Sequence, residues 1–243
     1  MNINVEAYSK MLKYQADICF PFEATFFYSL GIEGAENIVE IGSGNGYYLN
    51  KLSKFFCGPN YFGFDINEDL VSESKKYQNI TFEVGTNDRV EKKHNIIILR
   101  LLLHHLQDPV SFVSGIYKKM GPDTTLVIID AYDSMFCLVP EMKSFMSHLE
   151  NHREKLSHGN ATRNIEEVIS KVIQKNELAV IKEQSYYASS LVEGYKKIFY
   201  NYMYHTADMT GIDHNVKNDL DYWLNSDNSF AQFGLKLYGL RKS

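Results

Sequence analysis

A glycine-rich turn at residues 42–46 (Gly-Ser-Gly-Asn-Gly) follows an apolar run that contains the acidic residue Glu40. Glycine has no Cβ, so the backbone at Gly42, Gly44 and Gly46 can adopt positive φ and approach a ligand closely. A helical pattern resumes directly after the turn, and the first N–H groups of a helix are free to bind a negative or polar group. The spacing therefore predicts a turn that binds a nucleotide-like cofactor.

Two kinds of cofactor fit such a turn. Dinucleotide-binding folds use Gly-x-Gly-x-x-Gly, whose third glycine lets helix and strand pack closely. In this chain that position holds Tyr47, and the spacing is Gly-x-Gly-x-Gly. This spacing, led by Glu40, resembles motif I of the class I S-adenosylmethionine (SAM) dependent methyltransferases.

Asp65 ends the second predicted strand, about 20 residues after the glycine turn, where a carboxylate can accept hydrogen bonds from the ribose hydroxyls of an adenosine. Ile66 would then lie against the adenine. The alternatives are that Asp65 is a helix cap or a solvated loop acid and that Ile66 is ordinary core. The coincidence of Asp65 with the glycine turn favours the ribose interpretation.

A polar turn, Gly-Thr-Asn-Asp at residues 85–88, follows the third predicted strand. In the methyltransferases that this chain resembles, an acidic residue usually follows such a glycine and binds the adenine amino group. That position holds Thr86 here. Asn87 or Asp88 would substitute for the acid, or the backbone alone would hold the adenine; a plain polar turn is the alternative.

The fourth strand leads into a second motif, Ile-Leu-Arg-Leu-Leu-Leu-His-His-Leu-Gln-Asp-Pro at residues 98–109. Many small-molecule methyltransferases have a similar Leu-His-His-Leu-x-Asp-Pro stretch, and the resemblance implies that Arg100 and Leu101 line the SAM pocket. Imidazole titrates near neutral pH and can take a proton from a hydroxyl or an amine. His105 is the candidate base in preference to His104, and the alternative is that either histidine only holds the turn.

Two later groups of residues are candidates of another kind. Asp130 or Asp133, after the fifth strand, could orient a polar group of the substrate or be solvated loop acids. His148 and His152 are four apart on a predicted helix, which would allow metal binding. The His-Glu-x-x-His signature is absent, so we predict a solvated helix face there and no metal site.

An aromatic helix at residues 194–205 (Gly-Tyr-Lys-Lys-Ile-Phe-Tyr-Asn-Tyr-Met-Tyr-His) is predicted to contribute to the acceptor pocket. Tyrosine combines an apolar ring with a polar tip, which suits a flat and partly polar molecule; plain helix packing is the alternative. We predict that Tyr200, Tyr204 and His205 line this pocket. The candidate catalytic residues are His105, Tyr200 and His205.

Two tyrosines near the N-terminus, Tyr8 and Tyr14, could close over the methionine carboxylate, a role that the resemblance implies. The residues predicted to bind the cofactor are Glu40, Gly42, Ser43, Gly44, Gly46, Asp65, Ile66, Thr86, Asn87, Asp88, Arg100, Leu101 and Tyr14.

The elements that must position these residues alternate between apolar strands and helices, which predicts an α/β, doubly wound, mostly parallel sheet covered on both faces. The resemblance implies a seven-stranded Rossmann-like methyltransferase fold with a helical cap. Two late strands, 179–189 and 230–240, would form an antiparallel hairpin at one edge. The other predicted strands are 37–41, 61–65, 80–84, 96–99 and 125–129. The other predicted helices include two short ones within 5–30, one at 139–158, one at 164–175 and a mostly helical stretch at 192–224.

A single methyltransferase domain, 1–243, accommodates these elements, because 243 residues suffice for one well-buried α/β domain. We divide it into an N-terminal helical cap at 1–34, a SAM-binding core at 35–135, substrate-side helices with an insertion around a late strand at 136–225, and a closing antiparallel strand at 226–243.

Composition excludes several classes of function. The net charge is −5 and no basic tract is present, so we expect no nucleic-acid partner. Three widely spaced cysteines indicate neither a disulfide framework nor a zinc site. The sequence shows no signal peptide and no apolar run of transmembrane length, which predicts a soluble cytoplasmic protein without a membrane partner, either a monomer or a homodimer.

The resemblance implies an enzyme that moves a methyl group from SAM to an O, N or C atom of a small, aromatic metabolite and releases S-adenosylhomocysteine (SAH). Two alternatives remain. The chain could bind SAM as a sensor or partner module without methyl transfer, or it could catalyse another SAM reaction on the same fold, such as aminopropyl transfer.

Overall fold

A seven-stranded sheet with the order β3-β2-β1-β4-β5-β7-β6 forms the centre of the computed structural model, which describes residues 4–156 and 165–243. Strands β1 to β5 are parallel, and β7 lies antiparallel between β5 and β6. The predicted doubly wound sheet with an antiparallel C-terminal pair is thereby confirmed. The strands are β1 (Asn37–Ile41), β2 (Asn60–Asp65), β3 (Ile80–Val84), β4 (Ile96–Arg100), β5 (Thr125–Val139), β6 (Leu178–Ser189) and β7 (Phe230–Lys242).

Helices cover both faces of this sheet, as the apolar strands require. One face packs against α1 (Val5–Ser29), α2 (Tyr47–Phe55), α3 (Glu68–Ser74), α5 (Lys143–Leu156), α7 (Tyr195–Asp208) and α8 (His214–Asn225), and the other packs against α4 (Pro109–Lys119) and α6 (Ile165–Lys175). Successive strand residues alternate between the two cores: Ile38 and Ile98 face α1, whereas Val39 and Ile97 face α4. None of the helices within the described ranges combines the length and the apolar character that a membrane span needs.

Two predicted elements differ from the structure. The two short N-terminal helices are one helix, α1, which continues through Pro21. Proline removes a single helical hydrogen bond, and the buried side chains of Phe20, Phe26 and Phe27 on either side of it hold both halves of α1 against the core.

The fifth strand is also longer than the predicted 125–129. It continues to Val139 with an irregularity in its pairing with β7 between Tyr132 and Cys137, and the helix predicted from residue 139 begins at Lys143. The polar residues after Ile129 resemble a loop in sequence, but the 13-residue β7 supplies ladder partners for them.

Candidate functional site

The glycine turn has the geometry that its sequence predicts. Gly42, Gly44 and Gly46 have φ of 77°, 54° and 71°. The N–H groups of Gly42 and Ser43 donate to the carbonyl of Phe64 at 2.7 and 3.1 Å, which fixes the turn against β2. A Cβ on Gly46 would lie 2.5 Å from the Phe82 ring, so that position is restricted to glycine by space as well as by φ.

Asp65 faces this turn. Its carboxylate accepts a hydrogen bond from the Gly44 N–H at 2.8 Å and another from the Asn67 N–H at 2.9 Å, one on each oxygen. A carboxylate oxygen can accept more than one hydrogen bond, so both retain capacity for a ligand. Ile66, directly after it, is 73% exposed. The structure thus brings together the turn, the acid and an exposed apolar side chain.

The turn after β3 is held largely by its own polar groups and by α4. The N–H and the hydroxyl of Thr86 both donate to Asp88 at 3.0 and 2.8 Å, and these bonds lower the pKa of Asp88. The Asn87 amide donates to the carbonyl of Phe112 in α4 at 2.9 Å. Lys119 of α4 donates to the carbonyls of Asn87 and Asp88. Which of the three residues meets the adenine stays a prediction.

Arg100, the last residue of β4, lies in a sealed cluster under α1. Its Nε donates to both carboxylate oxygens of Glu23 at 3.0 and 3.2 Å, and the guanidinium lies over the Tyr48 ring at 4.3 Å. Burial alone would lower the pKa of Arg100, yet Glu23 raises it above its ordinary value. Burial raises the pKa of Glu23 against the opposing effect of Arg100, and because two short contacts join the groups we treat the pair as ionic.

Four buried atoms in this cluster and in the glycine turn have no hydrogen-bond partner among the described residues: Glu40 Oε2, Ser43 Oγ, Tyr48 Oη and Arg100 Nη2. Burial raises the pKa of Glu40 to about 8, and Arg100 partly offsets this. Buried polar atoms are nearly always paired in folded proteins, so unpaired atoms beside a glycine turn fit a polar ligand. A carboxyl group and a guanidinium with spare capacity match the ammonium and the carboxylate of an amino acid.

The first half of α1 lies across the glycine turn. The side-chain amide of Asn45 donates to the carbonyl and the hydroxyl of Ser9, each at 2.9 Å. A Cβ on Gly44 would lie 2.8 Å from Leu12. Burial, and then the charge of Asp65, raise the pKa of Tyr8 to about 12. Helix α1 therefore covers the place where the turn and Asp65 would receive a ligand.

A second polar group lies where β4 ends, beside the middle of β5. His104 Nδ1 lies 2.6 Å from Asp130 Oδ1, and Asp130 is fully buried whereas the His104 side chain is 30% exposed. His105, the histidine predicted to be the base, packs its ring on His104 at 3.9 Å between centroids. The adjacency of two parallel strands pairs His104 with Asp130, a signal that needs the strand order and was therefore missed. The side chain of Asp133 lies outside the described ones.

The residues predicted for the acceptor pocket divide between two places. The Tyr200 hydroxyl donates to Asp221 of α8 at 2.7 Å, which ties α7 to α8. His205 instead faces α1, where its ring is parallel to that of Tyr14 at 5.7 Å, and its Nδ1 is buried without a hydrogen-bond partner among the described residues. Burial, followed by the charge of Lys10, lowers the pKa of His205. Catalytic roles for His105, Tyr200 and His205 stay predictions.

The histidine pair considered for a metal lies only partly within the described side chains. His148 Nε2 is close to the carbonyl of Ala207 and the hydroxyl of Thr210, at 3.0 and 3.1 Å. The side chain of His152 lies outside the described ones. Among the residues that the structure covers, no group of three or more His, Cys, Asp or Glu side chains is arranged to hold a metal ion.

The strand order, with its one antiparallel strand inserted beside β5, and the glycine turn after β1 define a class I SAM-dependent methyltransferase fold. A model of the "Methyltransferase domain" family matches residues 13–184, and the chain belongs to that family. Protein 235L of Invertebrate iridescent virus 6, which carries a methyltransferase name, is 25% identical over 131 residues. That match covers 53% of this chain and 48% of the viral protein, so it spans about half of the curated relative.

Solved structures share the fold at low sequence identity. The plantazolicin methyltransferase BpumL, solved with a desmethylPZN analog and SAH, has a TM-score of 0.56 at 12% identity and covers 98% of this chain and 90% of its own. BH2331 of Bacillus halodurans, a protein also described as a methyltransferase, has a TM-score of 0.56 at 16% identity, covering 86% and 93%. Phosphoethanolamine N-methyltransferase 2 of Haemonchus contortus has a TM-score of 0.53 at 14% identity, covering 86% and 49%.

Proposed function

We propose that this protein transfers a methyl group from SAM to a small-molecule acceptor and releases SAH. The observation that carries the proposal is the Asp65 carboxylate turned toward the Gly44 N–H, at the junction of the glycine turn and the end of β2. In open α/β sheets, ligands bind beyond the carboxyl ends of the strands near such a junction. Family membership supports the same activity.

The residues present fit SAM on three observations. Asp65 retains capacity for the two ribose hydroxyls, and the exposed Ile66 offers an apolar surface for the adenine. Glu40 Oε2 and Arg100 Nη2 are buried and lack partners among the described residues, and they match the methionine ammonium and carboxylate. The turn at residues 42–46 would approach the ligand with its backbone.

SAM supplies a methyl group that is already activated for displacement. The protein then has to hold the acceptor in line with that methyl group and to exclude water from it. Leu12 and Ser9 of α1 already cover the glycine turn and would serve to exclude water. A strong protein nucleophile is not needed for such a reaction.

The net charge of −5 favours a small acceptor over a nucleic acid. Aromatic metabolites are among the small acceptors that we propose. The seam between α1 and α7, where Tyr14 and His205 lie parallel, offers aromatic surface and one buried ring nitrogen for such a molecule. Two of the similar proteins are named as methyltransferases of plantazolicin (BpumL) and of phosphoethanolamine (the Haemonchus contortus enzyme). Transfer to O, N or C is compatible with these features.

The proposal is tested in two steps. Calorimetric titration of the protein with SAH should give saturable one-site binding. Incubation with SAM and a panel of phenols, amines and activated carbon acids should then release SAH for at least one acceptor. Binding without turnover on any acceptor would support the alternative of a SAM-binding module, and absence of binding would overturn the proposal altogether.

A further inference from the structure

We propose that helix α4 holds the loop after β3 in the position at which it binds the adenine of SAM, and that Asn87, Gly115 and Lys119 are the positioning residues. The inference rests on the proposed function and deepens it, because it assigns selection of the cofactor's base to contacts made by a helix behind the loop. The loop consists of residues 86–88 and is called the adenine loop below.

The adenine loop begins beside the residue that would bind the ribose. Strand β3 pairs with β2 so that Val84 lies opposite Asp65, and the Gly85 N–H donates to the Asp65 carbonyl at 3.0 Å. The side chain of Ile66, the next residue of β2, is largely exposed. Since one bond joins the base of a nucleoside to its ribose, a base attached to a ribose at Asp65 lies within reach of residues 86–88.

The adenine loop presents an ionised carboxylate to solvent. The N–H and the hydroxyl of Thr86 donate to Asp88 Oδ1, and Arg89 Nε lies 3.6 Å from Asp88 Oδ2. The hydrogen bonds from Thr86 lower the pKa of Asp88, and its side chain is 66% exposed. An ionised carboxylate only accepts hydrogen bonds, so it favours the amino group of adenine over the carbonyl oxygen that hypoxanthine carries in the same place. Asp88 therefore matches the base of SAM.

Three hydrogen bonds attach the adenine loop to α4. The side-chain amide of Asn87 donates to the carbonyl of Phe112 at 2.9 Å. The Lys119 ammonium donates to the carbonyls of Asn87 and Asp88 at 3.0 and 2.5 Å. A lysine near the end of a helix often binds the last carbonyls of its own helix, whereas these carbonyls belong to another segment. Helix α4 therefore fixes the backbone that carries the Asp88 carboxylate.

A glycine in the middle of α4 makes room for this attachment. Gly115 lies within the helix Pro109–Lys119, where glycine is less favourable than alanine for helix formation. A Cβ on Gly115 would lie 2.8 Å from Asn87 Nδ2, which is closer than Cβ atoms come to other heavy atoms. The Asn87 amide would have to move and would lose its hydrogen bond to Phe112. Gly115 thus weakens α4 as a helix and permits the contact with Asn87.

The attachment should act on recognition of the base more than on the other contacts of the cofactor. Glu40, Asp65 and Arg100 would bind the ribose and the methionine, and they belong to β1, β2 and β4. A shift of the adenine loop would change the distance from Asp88 to the amino group and leave those three residues in place. Hydrogen bonds weaken steeply as their geometry departs from the optimum. The expected signature is therefore a loss of discrimination between bases.

The experiment measures the Kd for SAH and for S-inosylhomocysteine, in which a carbonyl oxygen replaces the adenine amino group. The wild type should bind SAH more tightly by about tenfold or more, the usual contribution of a hydrogen bond to a charged group. In Lys119→Met, the Kd for SAH should rise by about tenfold while the Kd for the inosyl compound changes less than about twofold. Lys119→Arg keeps a charged donor and should recover most of the loss. Lys118→Met, at the exposed neighbouring position of α4, is the control and should match the wild type.

Gly115→Ala provides the readout that a structural role would not give. Alanine favours the helix, so the Tm of the ligand-free protein should be at least that of the wild type. The Kd for SAH should nevertheless rise by about tenfold, because the added Cβ displaces the Asn87 amide. Asn87→Ala should have the same effect on the Kd. Adding Gly115→Ala to Asn87→Ala should change nothing further, because the displaced contact is already absent.

Three results would overturn the inference. The first is a wild type that binds the two ligands equally. The second is a wild-type ratio of the two Kd values in both Lys119→Met and Gly115→Ala. The third is equal weakening for both ligands together with a lower Tm, since α4 would then only stabilise the fold. Failure of the wild type to bind SAH would instead remove the proposed function, so the two failures are distinguishable.

Discussion

Two polar clusters at the carboxyl edge of the sheet differ in their access to solvent. The first, formed by Glu23, Glu40 and Arg100, is sealed under α1, with side chains of Glu23 and Arg100 only 0% and 5% exposed. The second, His104 with Asp130, combines a buried carboxylate with an imidazole that is 30% exposed. Each cluster lies at β4 and one of its two parallel neighbours, β1 for the first and β5 for the second. The strand order alone therefore does not distinguish the two clusters.

The difference shows how burial assigns roles to similar groups. Charges in the sealed cluster compensate each other, and their spare atoms can meet only a ligand that enters beneath α1. The open pair, His104 with Asp130, leaves its imidazole partly exposed to solvent. Since Ser9 and Leu12 of α1 lie on the glycine turn, we expect α1 to move when the cofactor enters.

The largest expected effect is on the sealed cluster. Glu23→Gln should lower the free energy of unfolding by about 3–5 kcal/mol, because removal of one partner leaves a buried, uncompensated Arg100 charge. Chemical denaturation monitored by circular dichroism measures this. Glu33→Gln, the same substitution at an exposed position, is the control and should have no measurable effect. A Glu23→Gln protein as stable as the wild type would show that the cluster is not sealed.

The next largest effect concerns the binding of SAH by Asp65. Asp65→Asn should weaken SAH binding by about tenfold to a hundredfold, since a hydrogen bond to a charged group contributes about 1.5–3 kcal/mol. Calorimetric titration gives the Kd. Asp69→Asn, in the exposed first turn of α3, serves as the matched control. If both variants bind SAH like the wild type, Asp65 only braces the glycine turn through Gly44.

The parts of this arrangement that could be predicted from the sequence rest on local signals. The glycine turn, the acid after β2 and the apolar strands each occupy a short stretch, and each is set by backbone freedom or side-chain periodicity. Asn67 is a local signal of the same kind: its side chain caps α3 by accepting from the N–H groups of Asp69 and Leu70.

The parts that could not be predicted depend on contacts between distant residues. Glu23 and Arg100 are 77 positions apart, and nothing in either local pattern identifies the other. His104 and His105 are indistinguishable as adjacent histidines until the fold brings Asp130 of β5 against one of them. Similarly, α1 continues through Pro21 because tertiary packing outweighs the loss of one hydrogen bond.

A smaller expected effect concerns the protonation of Glu40 when a ligand binds. The pKa of Glu40 is about 8 without a ligand, so the group is mostly protonated at pH 7. An ammonium group bound beside it would lower that pKa, and the protein would release a fraction of a proton as SAH binds. The affinity for SAH should therefore rise with pH between about 6 and 8.

Titrations at pH 7 in two buffers of different ionisation enthalpy measure this release. The observed heat should differ between phosphate and Tris in proportion to the protons released. Glu40→Gln is the matched variant and should abolish the difference. A heat that does not depend on the buffer in the wild type would show that Glu40 does not meet the ligand ammonium.

The smallest expected effect lies outside both clusters. Tyr200→Phe removes the hydroxyl that donates to Asp221 at 2.7 Å, and we expect a loss of about 1 kcal/mol in the free energy of unfolding. Tyr222→Phe, at a 65% exposed tyrosine on the same α8, is the control and should leave stability unchanged. If Tyr200→Phe instead raised the KM for the acceptor and left stability unchanged, Tyr200 would line the acceptor pocket. Helix α7 would then contact the substrate through Tyr200, and the hydrogen bond from Tyr200 to Asp221 would not be needed for stability.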